Sequence, residues 1–226
     1  MYPIKRMTVA RRQRIIKAWN KVYENVDSIP FLPWVNTTLP TSLLDEFVKK
    51  IGDKEYICIL DYGCGTGRLG KYIADKYSNC DVYFYDISEK ALEYCIKCGN
   101  IAKEKIVFPT NNPEDLFTEN QFDGVISWGM FHHIDPEDWE EYRNLIYDLI
   151  KPNGVLLFGD FTQDDELFKI DGKRISEITN IESYAVCNHE LFSEKMHIED
   201  EGQFPFVENN LKRKRVINYL IGRKWK

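Results

Sequence analysis

No run in this 226-residue chain approaches the ~18 uninterrupted apolar residues that a membrane-spanning helix needs. The basic N-terminal stretch lacks the apolar segment of a secretory signal. A soluble, cytoplasmic protein without membrane contact is therefore expected. The six cysteines (Cys58, Cys64, Cys80, Cys95, Cys98, Cys187) show no disulfide-framework spacing. Cys95-Ile-Lys-Cys98 has no second C-x-x-C beside it, and a closed zinc site takes four ligands. Two thiols one turn apart on a helix are the simpler reading, and no metal is expected. No internal repeat or low-complexity tract interrupts the chain, which reads as one medium-sized domain. Acid is missing from both ends. Residues 1–23 hold seven Lys/Arg and no Asp/Glu, and residues 212–226 hold seven more and again no acid. The stretch between them carries all 36 acidic residues, so the ends are expected to be solvated or paired with it. The net charge of −6 opposes a long polyanion, and nucleic acid is not an expected partner.

What the chain does have is Asp61-Tyr-Gly-Cys-Gly-Thr-Gly67, directly after the apolar run Ile57-Cys-Ile-Leu60. The run reads as a buried strand, and Arg68 to Lys76 reads as a helix. Glycines at 63, 65 and 67 leave no Cβ to block a ligand, and the helix start offers unpaired N–H groups. Gly65-Thr-Gly-Arg-Leu-Gly70 also fits the dinucleotide fingerprint G-x-G-x-x-G. A pyrophosphate, however, suits an acid-free loop at the helix N-terminus. Asp61 would repel it and attract a cation. S-adenosylmethionine has no phosphate and carries an ammonium and a sulfonium, so D-x-G-x-G-x-G favours that ligand on charge grounds.

The pattern continues downstream. Asp81 to Tyr85 reads as a second strand ending in Asp86, whose carboxylate can accept both hydroxyls of a ribose. Ile106 to Phe108, Phe122 to Ser127 and Val155 to Phe158 read as three more strands. Lys151-Pro-Asn-Gly154 is a turn before the last of them. The series resembles the class I S-adenosylmethionine-dependent methyltransferases from about residue 30 onward. The resemblance implies a Rossmann-like, doubly wound α/β fold. Its seven-stranded, mainly parallel sheet ends in a C-terminal antiparallel hairpin, for which residues 197–207 and Arg215 to Gly222 supply the strands. It implies S-adenosylmethionine as cofactor, S-adenosylhomocysteine as product, and an in-line methyl transfer. Asp61, Gly63, Cys64, Gly65, Thr66 and Gly67 match the motif that holds the methionine part. Asp86 matches the ribose acid, with Ile87 beside the adenine. Asn112-Pro113 opens a segment similar to the adenine loop, with Asn112 in place of the usual acid. Ser127-Trp128 closes the fourth-strand motif.

Val9 to Tyr23 reads as an additional helix, followed by the Pro- and aromatic-rich Ile29 to Trp34. A W-x-x-x-Y…P-W segment of this kind resembles the small-molecule branch, notably thiopurine and tellurite-resistance-like methyltransferases. That resemblance implies a small-molecule acceptor. It also implies a helical cap over residues 1–40 and a methyltransferase domain over 41–226. Trp19, Tyr23, Phe31 and Trp34 are the cap's candidate pocket residues, or they simply pack the extra helix. His132, His133 and Asp160 lie past strand ends where an acceptor would sit, each with a capping role as the alternative. Tyr184 and His189 fall in a loop that can line the pocket. No residue stands out as catalytic.

Other classes stay open. Tyr147-Asp-Leu-Ile-Lys151 fits the Y-x-x-x-K of short-chain reductases, though Pro152 stops the helix directly after it. A methyltransferase fold that binds without catalysis is another, and an RNA or protein acceptor a third. The Asn/Asp-Pro-Pro-Tyr/Phe mark of amino-group methylation in nucleic acid is absent after the fourth strand.

Overall fold

A computed structural model describes residues 9–32, 34–109, 117–168, 172–176, 178–208 and 212–226. Its helices are α1 (Val9–Tyr23), α2 (Thr41–Ile51), α3 (Arg68–Lys76), α4 (Glu89–Lys97), α5 (Trp139–Leu149) and α6 (Asn188–Phe192). Its strands are β1 (Ile57–Tyr62), β2 (Cys80–Tyr85), β3 (Ile106–Val107), β4 (Phe122–Trp128) and β5 (Ile150–Asp160). They continue as β6 (Lys173–Ile175), β7 (Glu182–Tyr184), β8 (Met196–Glu208) and β9 (Arg213–Lys224).

Seven strands form one sheet in the order β3-β2-β1-β4-β5-β9-β8. The first five are parallel; β9 runs antiparallel to β5, and β8 antiparallel to β9. This is the expected Rossmann-like sheet with its terminal hairpin. Helices cover both faces, which is why the central strands are apolar at nearly every position rather than alternating. On one face Ile59, Ile126, Val155 and Leu157 pack against Phe47 and Ile51 of α2 and Ile73 of α3. On the other, Leu60, Val125, Leu156 and Phe158 meet Ile146 and Leu149 of α5 and Phe192 of α6. The strand order reverses at β1, with β2 and β3 on one side and β4 and β5 on the other. The loops after β1 and β4 therefore part at the C-terminal edge of the sheet and open a crevice there.

α1 lies over that edge. Asn20 Oδ1 accepts from Ser88 Oγ (2.8 Å), the residue that caps α4. Arg11 reaches Asp138 (3.4 Å), Glu137 (3.4 Å) and Asp135 (3.7 Å) before α5. The basic C-terminus is also woven into the protein. Arg223 pairs with Glu199 and donates to the carbonyls of Lys50 and Asn153. Lys224 Nζ donates to Asn120 and to the carbonyls of Tyr147 and Ile150, and its burial lowers its pKa.

Three details differ from the sequence reading. Strand β5 begins at Ile150, so the 151–154 turn is drawn into the strand. Residues 182–184, read as loop, form β7 and pair with β6. Strands of three residues leave no periodicity to read. The reductase-like pair sits at the wrong end of the sheet: Lys151 Nζ is tied to Asp123 at the start of β4 (2.9 Å), and the Tyr147 ring lies beneath Lys224. No described helix is long and apolar enough to cross a membrane.

Gly124, in the middle of β4, has no room for a side chain. A Cβ there would sit 2.6 Å from both Ile51 and Phe47. Gly124→Ala is expected to lower stability by about 1–3 kcal/mol through overpacking. Urea denaturation at an unchanged midpoint would contradict this packing.

Candidate active site

The crevice is a cavity of about 280 Å³ at the C-terminal edge of the sheet. Its floor is the loop after β1. Gly63 (φ +79°) and Gly65 (φ +55°) take left-handed conformations that side chains rarely adopt. A Cβ on Gly63 would lie 2.8 Å from Met130 Sδ, and one on Gly65 would lie 3.1 Å from the Tyr23 hydroxyl.

Two carboxylates fix this loop. Asp86 Oδ2 accepts from the Gly65 amide (2.9 Å) and Oδ1 from the Ser88 amide (2.8 Å), so one side chain joins the loops after β1 and β2. Asp61 Oδ2 accepts from the Gly70 amide (2.9 Å) in the first turn of α3. Its other oxygen makes no hydrogen bond among the described residues. Burial pushes Asp61 up to about 7, with the Gly70 bond pulling it back and Asp86 adding repulsion. Burial pushes Asp86 up to about 6 against its two amide bonds. Both groups are held by neutral donors alone, and a cation would favour their ionised forms. A phosphate would meet two carboxylates in a low-dielectric site.

The walls come from every part of the chain. α1 contributes Ile15, Trp19 and Tyr23, and Trp34 follows. Trp19 stacks near Tyr23 (6.0 Å) and meets Trp34 (5.8 Å) and His133 (4.8 Å) edge-on. Burial and the nearby Asp86 raise the pKa of Tyr23, keeping it a neutral hydroxyl. Arg68 donates to the carbonyls of Trp34 (3.2 Å) and Thr37 (2.9 Å) and pins this segment to α3. The last residue of β4, Trp128, lines it too, and the loop after β4 supplies Met130, His132 and His133. His132 Nδ1 lies 2.6 Å from Asp160 Oδ1, and His133 Nδ1 lies 3.2 Å from Ser183 Oγ. Burial, His132 and Arg174 hold the His133 pKa well below the usual histidine range. The hairpin end of β8 and β9 closes the far side with Phe204, Phe206, Glu208, Arg213 and Arg215. Arg215 lies 4.1 Å over the Phe161 ring, pairs with Asp165 (2.7 Å) and also binds Glu208.

The structure thus gathers most of the residues singled out from the sequence. Asp61, Gly63, Cys64, Gly65, Thr66, Asp86, Ile87, Trp128, Trp19, Tyr23, Trp34, His132 and His133 all line the cavity. Others stand apart. Gly67 is the N-cap of α3 and is packed under Ile101 and Cys95. Ser127 is buried within the sheet. Phe31 is 72% exposed, because the one-turn helix at Val26–Phe31 turns Ile29 inward instead. Asp160 is fully buried and reaches the cavity only through His132. His189 pairs with Glu201 (2.8 Å) and Tyr184 with Glu182 (2.7 Å) outside the cavity. Cys95 donates to the Gly65 carbonyl (3.3 Å) while Cys98 is exposed, so the two thiols do not face one ligand. Asn112 and Pro113 lie outside the described residues. Arg68, Arg174, Arg215 and Phe161 also line the cavity and escaped the sequence reading, since nothing local marks a side chain that closes a distant wall.

Residues 59–154 match the family model described as a methyltransferase domain. The chain is similar to a tRNA N(3)-methylcytidine methyltransferase of Schizosaccharomyces pombe, 25% identical over 88% of this chain and 67% of that protein. It is also similar to a malonyl-[acyl-carrier protein] O-methyltransferase of Ilyobacter polytropus. That match is 28% identical over 49% of this chain, and the chain spans only 42% of that relative's length. Among solved structures, the fold matches that of the Burkholderia thailandensis 1,6-didemethyltoxoflavin-N1-methyltransferase with bound 1,6-didemethyltoxoflavin and S-adenosylhomocysteine. The TM-score is 0.62 at 17% identity, over 95% of this chain and 87% of that one.

The two raised carboxylates set a pH dependence. Each is neutral in the fold where it would ionise in the unfolded chain. The stability this gives is full below the ordinary aspartate pKa and is lost as pH rises through about 6 and 7. Asp61→Asn keeps an oxygen acceptor for Gly70 and removes the ionisation. Urea unfolding of this variant should show a shallower stability loss between those pH values. A curve as steep as the parent's would show that Asp61 is not the group responsible.

Proposed function

We propose that this S-adenosylmethionine-dependent methyltransferase acts on a small-molecule acceptor. The observation that carries the reading is the N-terminal segment lying across the crevice, with Trp19, Tyr23 and Trp34 closing the aromatic cavity. Residues 1–40 are proposed as the cap of this site and 41–226 as the methyltransferase domain, in keeping with the thiopurine and tellurite-resistance-like branch. Six free cysteines, none disulfide-bonded, agree with a cytoplasmic setting.

The residues fit the cofactor. Gly63 and Gly65 form a cradle that a Cβ would fill, and the buried Asp61 and half-buried Asp86 pair with no cation among the described residues. In this proposal Asp61, Gly63, Cys64, Gly65 and Thr66 hold the methionine part, with Gly67 shaping the loop. Asp86 takes the ribose hydroxyls on its remaining lone pairs. Ile87 borders the adenine, and Trp128, backed by Ser127, borders the reacting end. When bound, S-adenosylmethionine supplies a methyl group on a sulfonium that departs as a neutral thioether. The protein's contribution is to align the acceptor with it and to exclude water. Such orientation is worth ~7–11 kcal/mol of barrier in well-ordered cases. The aromatic walls do both, and α1 shuts the crevice above them.

A tRNA acceptor is the second reading. Lys212 and Lys214 are exposed on either side of Arg213, which lines the cavity, and one relative is named for tRNA. Release of S-adenosylhomocysteine with a panel of phenols, thiols and amines, set against bulk tRNA, separates the two. Turnover of tRNA alone would overturn the small-molecule reading.

Asp86→Ala removes a charge-assisted acceptor and frees the Gly65 amide. Calorimetry should show S-adenosylmethionine binding weakened by about 1.5–3 kcal/mol. Unchanged affinity would refute the role given to Asp86.

A further inference from the structure

We propose that His132, held by Asp160, is the general base that takes the proton from a hydroxyl on a planar aromatic acceptor. The proposal rests on the methyl-transfer reading above and adds to it the class of acceptor and the catalytic residue.

The geometry begins with Asp160. This carboxylate ends β5, is completely buried and accepts three hydrogen bonds. Oδ1 takes the Phe161 amide (2.8 Å) and the His132 ring at Nδ1 (2.6 Å). Oδ2 takes the amide of His132 itself (3.2 Å). Main chain and ring of one residue are thus fastened to the same carboxylate. Asp160 already accepts from two backbone amides, and in this proposal it is the ring's acceptor too, with the proton on Nδ1 and the lone pair on Nε2. Nε2 has no hydrogen-bond partner among the described residues, and the His132 side chain lines the cavity.

The neighbours give the acceptor its shape. Phe161 stands edge-on to His132 (4.9 Å), and Phe206 lies beyond Phe161 (6.2 Å). On the other side the His133 ring lies at 3.8 Å from His132, with Trp19 edge-on behind it. A flat ring finds faces and edges on each side of the imidazole. His133 is turned to Ser183, and its lowered pKa keeps it neutral, so no second cation competes for the proton.

A base matters only for an acceptor that is protonated at working pH. A thiolate or a free amine needs none, whereas a phenol, with a pKa of about 10, does. In the step, the acceptor's O–H bond breaks and its proton goes to Nε2. The freed pair on oxygen forms the new O–CH3 bond. The bond from that carbon to sulfur breaks with its pair staying on sulfur. The imidazolium, stabilised by Asp160, passes its proton to water once the product leaves.

Two measurements on the full-length protein test this. Long-range 1H–15N NMR reads the tautomer of each of the four histidines, with His132→Gln identifying the signal. The expected result is a protonated Nδ1 and a bare Nε2, a preference lost in Asp160→Asn. A proton on Nε2 of the wild type would overturn the proposal, whatever the acceptor. The second measurement follows S-adenosylhomocysteine release from unsubstituted phenol, a nitrophenol already ionised in the assay, and thiophenol. His132→Gln should slow the un-ionised phenol by about 100-fold or more and the ionised acceptors far less. An equal loss on all three would mark a structural role, and methylation of thiols alone would exclude the hydroxyl class. Failure of the wild type to bind S-adenosylmethionine, read by calorimetry, would instead strike the function on which the proposal rests.

Discussion

Two carboxylates at the ends of adjacent parallel strands, Asp61 buried and Asp86 half-buried, organise the functional half of this molecule. Asp86 ties the glycine loop to the cap of α4, and Asp61 ties the end of β1 to the first turn of α3. Backbone amides that would otherwise be unpaired at a loop and at helix starts are satisfied by these acids. The arrangement leaves two acidic groups in a crevice beside glycines with no side chains. Such a site is complementary to a cation with hydroxyls and hostile to a pyrophosphate. Ligand choice follows from the same bonds that set the loop's shape.

The remainder of the fold serves to place and cover this pair. A parallel sheet buried on both faces puts the ends of β1, β2, β4 and β5 side by side, and its order reversal opens the crevice there. Arg68, held by two backbone carbonyls, and Asn20, held by Ser88, bring the N-terminal segment down over the opening. The long β8–β9 hairpin runs past the edge of β5 and brings Phe204, Phe206 and Arg215 to the opposite wall. Buried Arg215 is compensated by Asp165 and Glu208 and by the Phe161 face. Removing one member would leave the others uncompensated in the interior.

Much of this was legible in the sequence because it is local. The strand, acid and glycines at 57–67 form one continuous segment, and Asp86 follows its own strand in the same way. α1 was also readable from apolar spacing, and the terminal hairpin from the family resemblance. The parts that were not legible depend on long-range meetings. His132 and Asp160 lie 28 positions apart and become one unit only when β4 and β5 are paired. Arg68 looks like any first-turn arginine until the carbonyls of Trp34 and Thr37 meet it. Phe31 and Trp34 are chemically alike in the sequence, yet a short helix turns one to solvent and the other to the cavity.

The central claim is that Asp61, beside the glycine loop, makes this crevice a site for a sulfonium cofactor rather than a dinucleotide, whereas an acid in the place of Asp86 serves a ribose in either. Calorimetric titration of the purified protein with S-adenosylmethionine, and separately with NADH and NADPH, addresses it directly. The account requires micromolar binding of the first and none of the others. Binding of a nicotinamide cofactor in its place would contradict the charge argument on which the site is built.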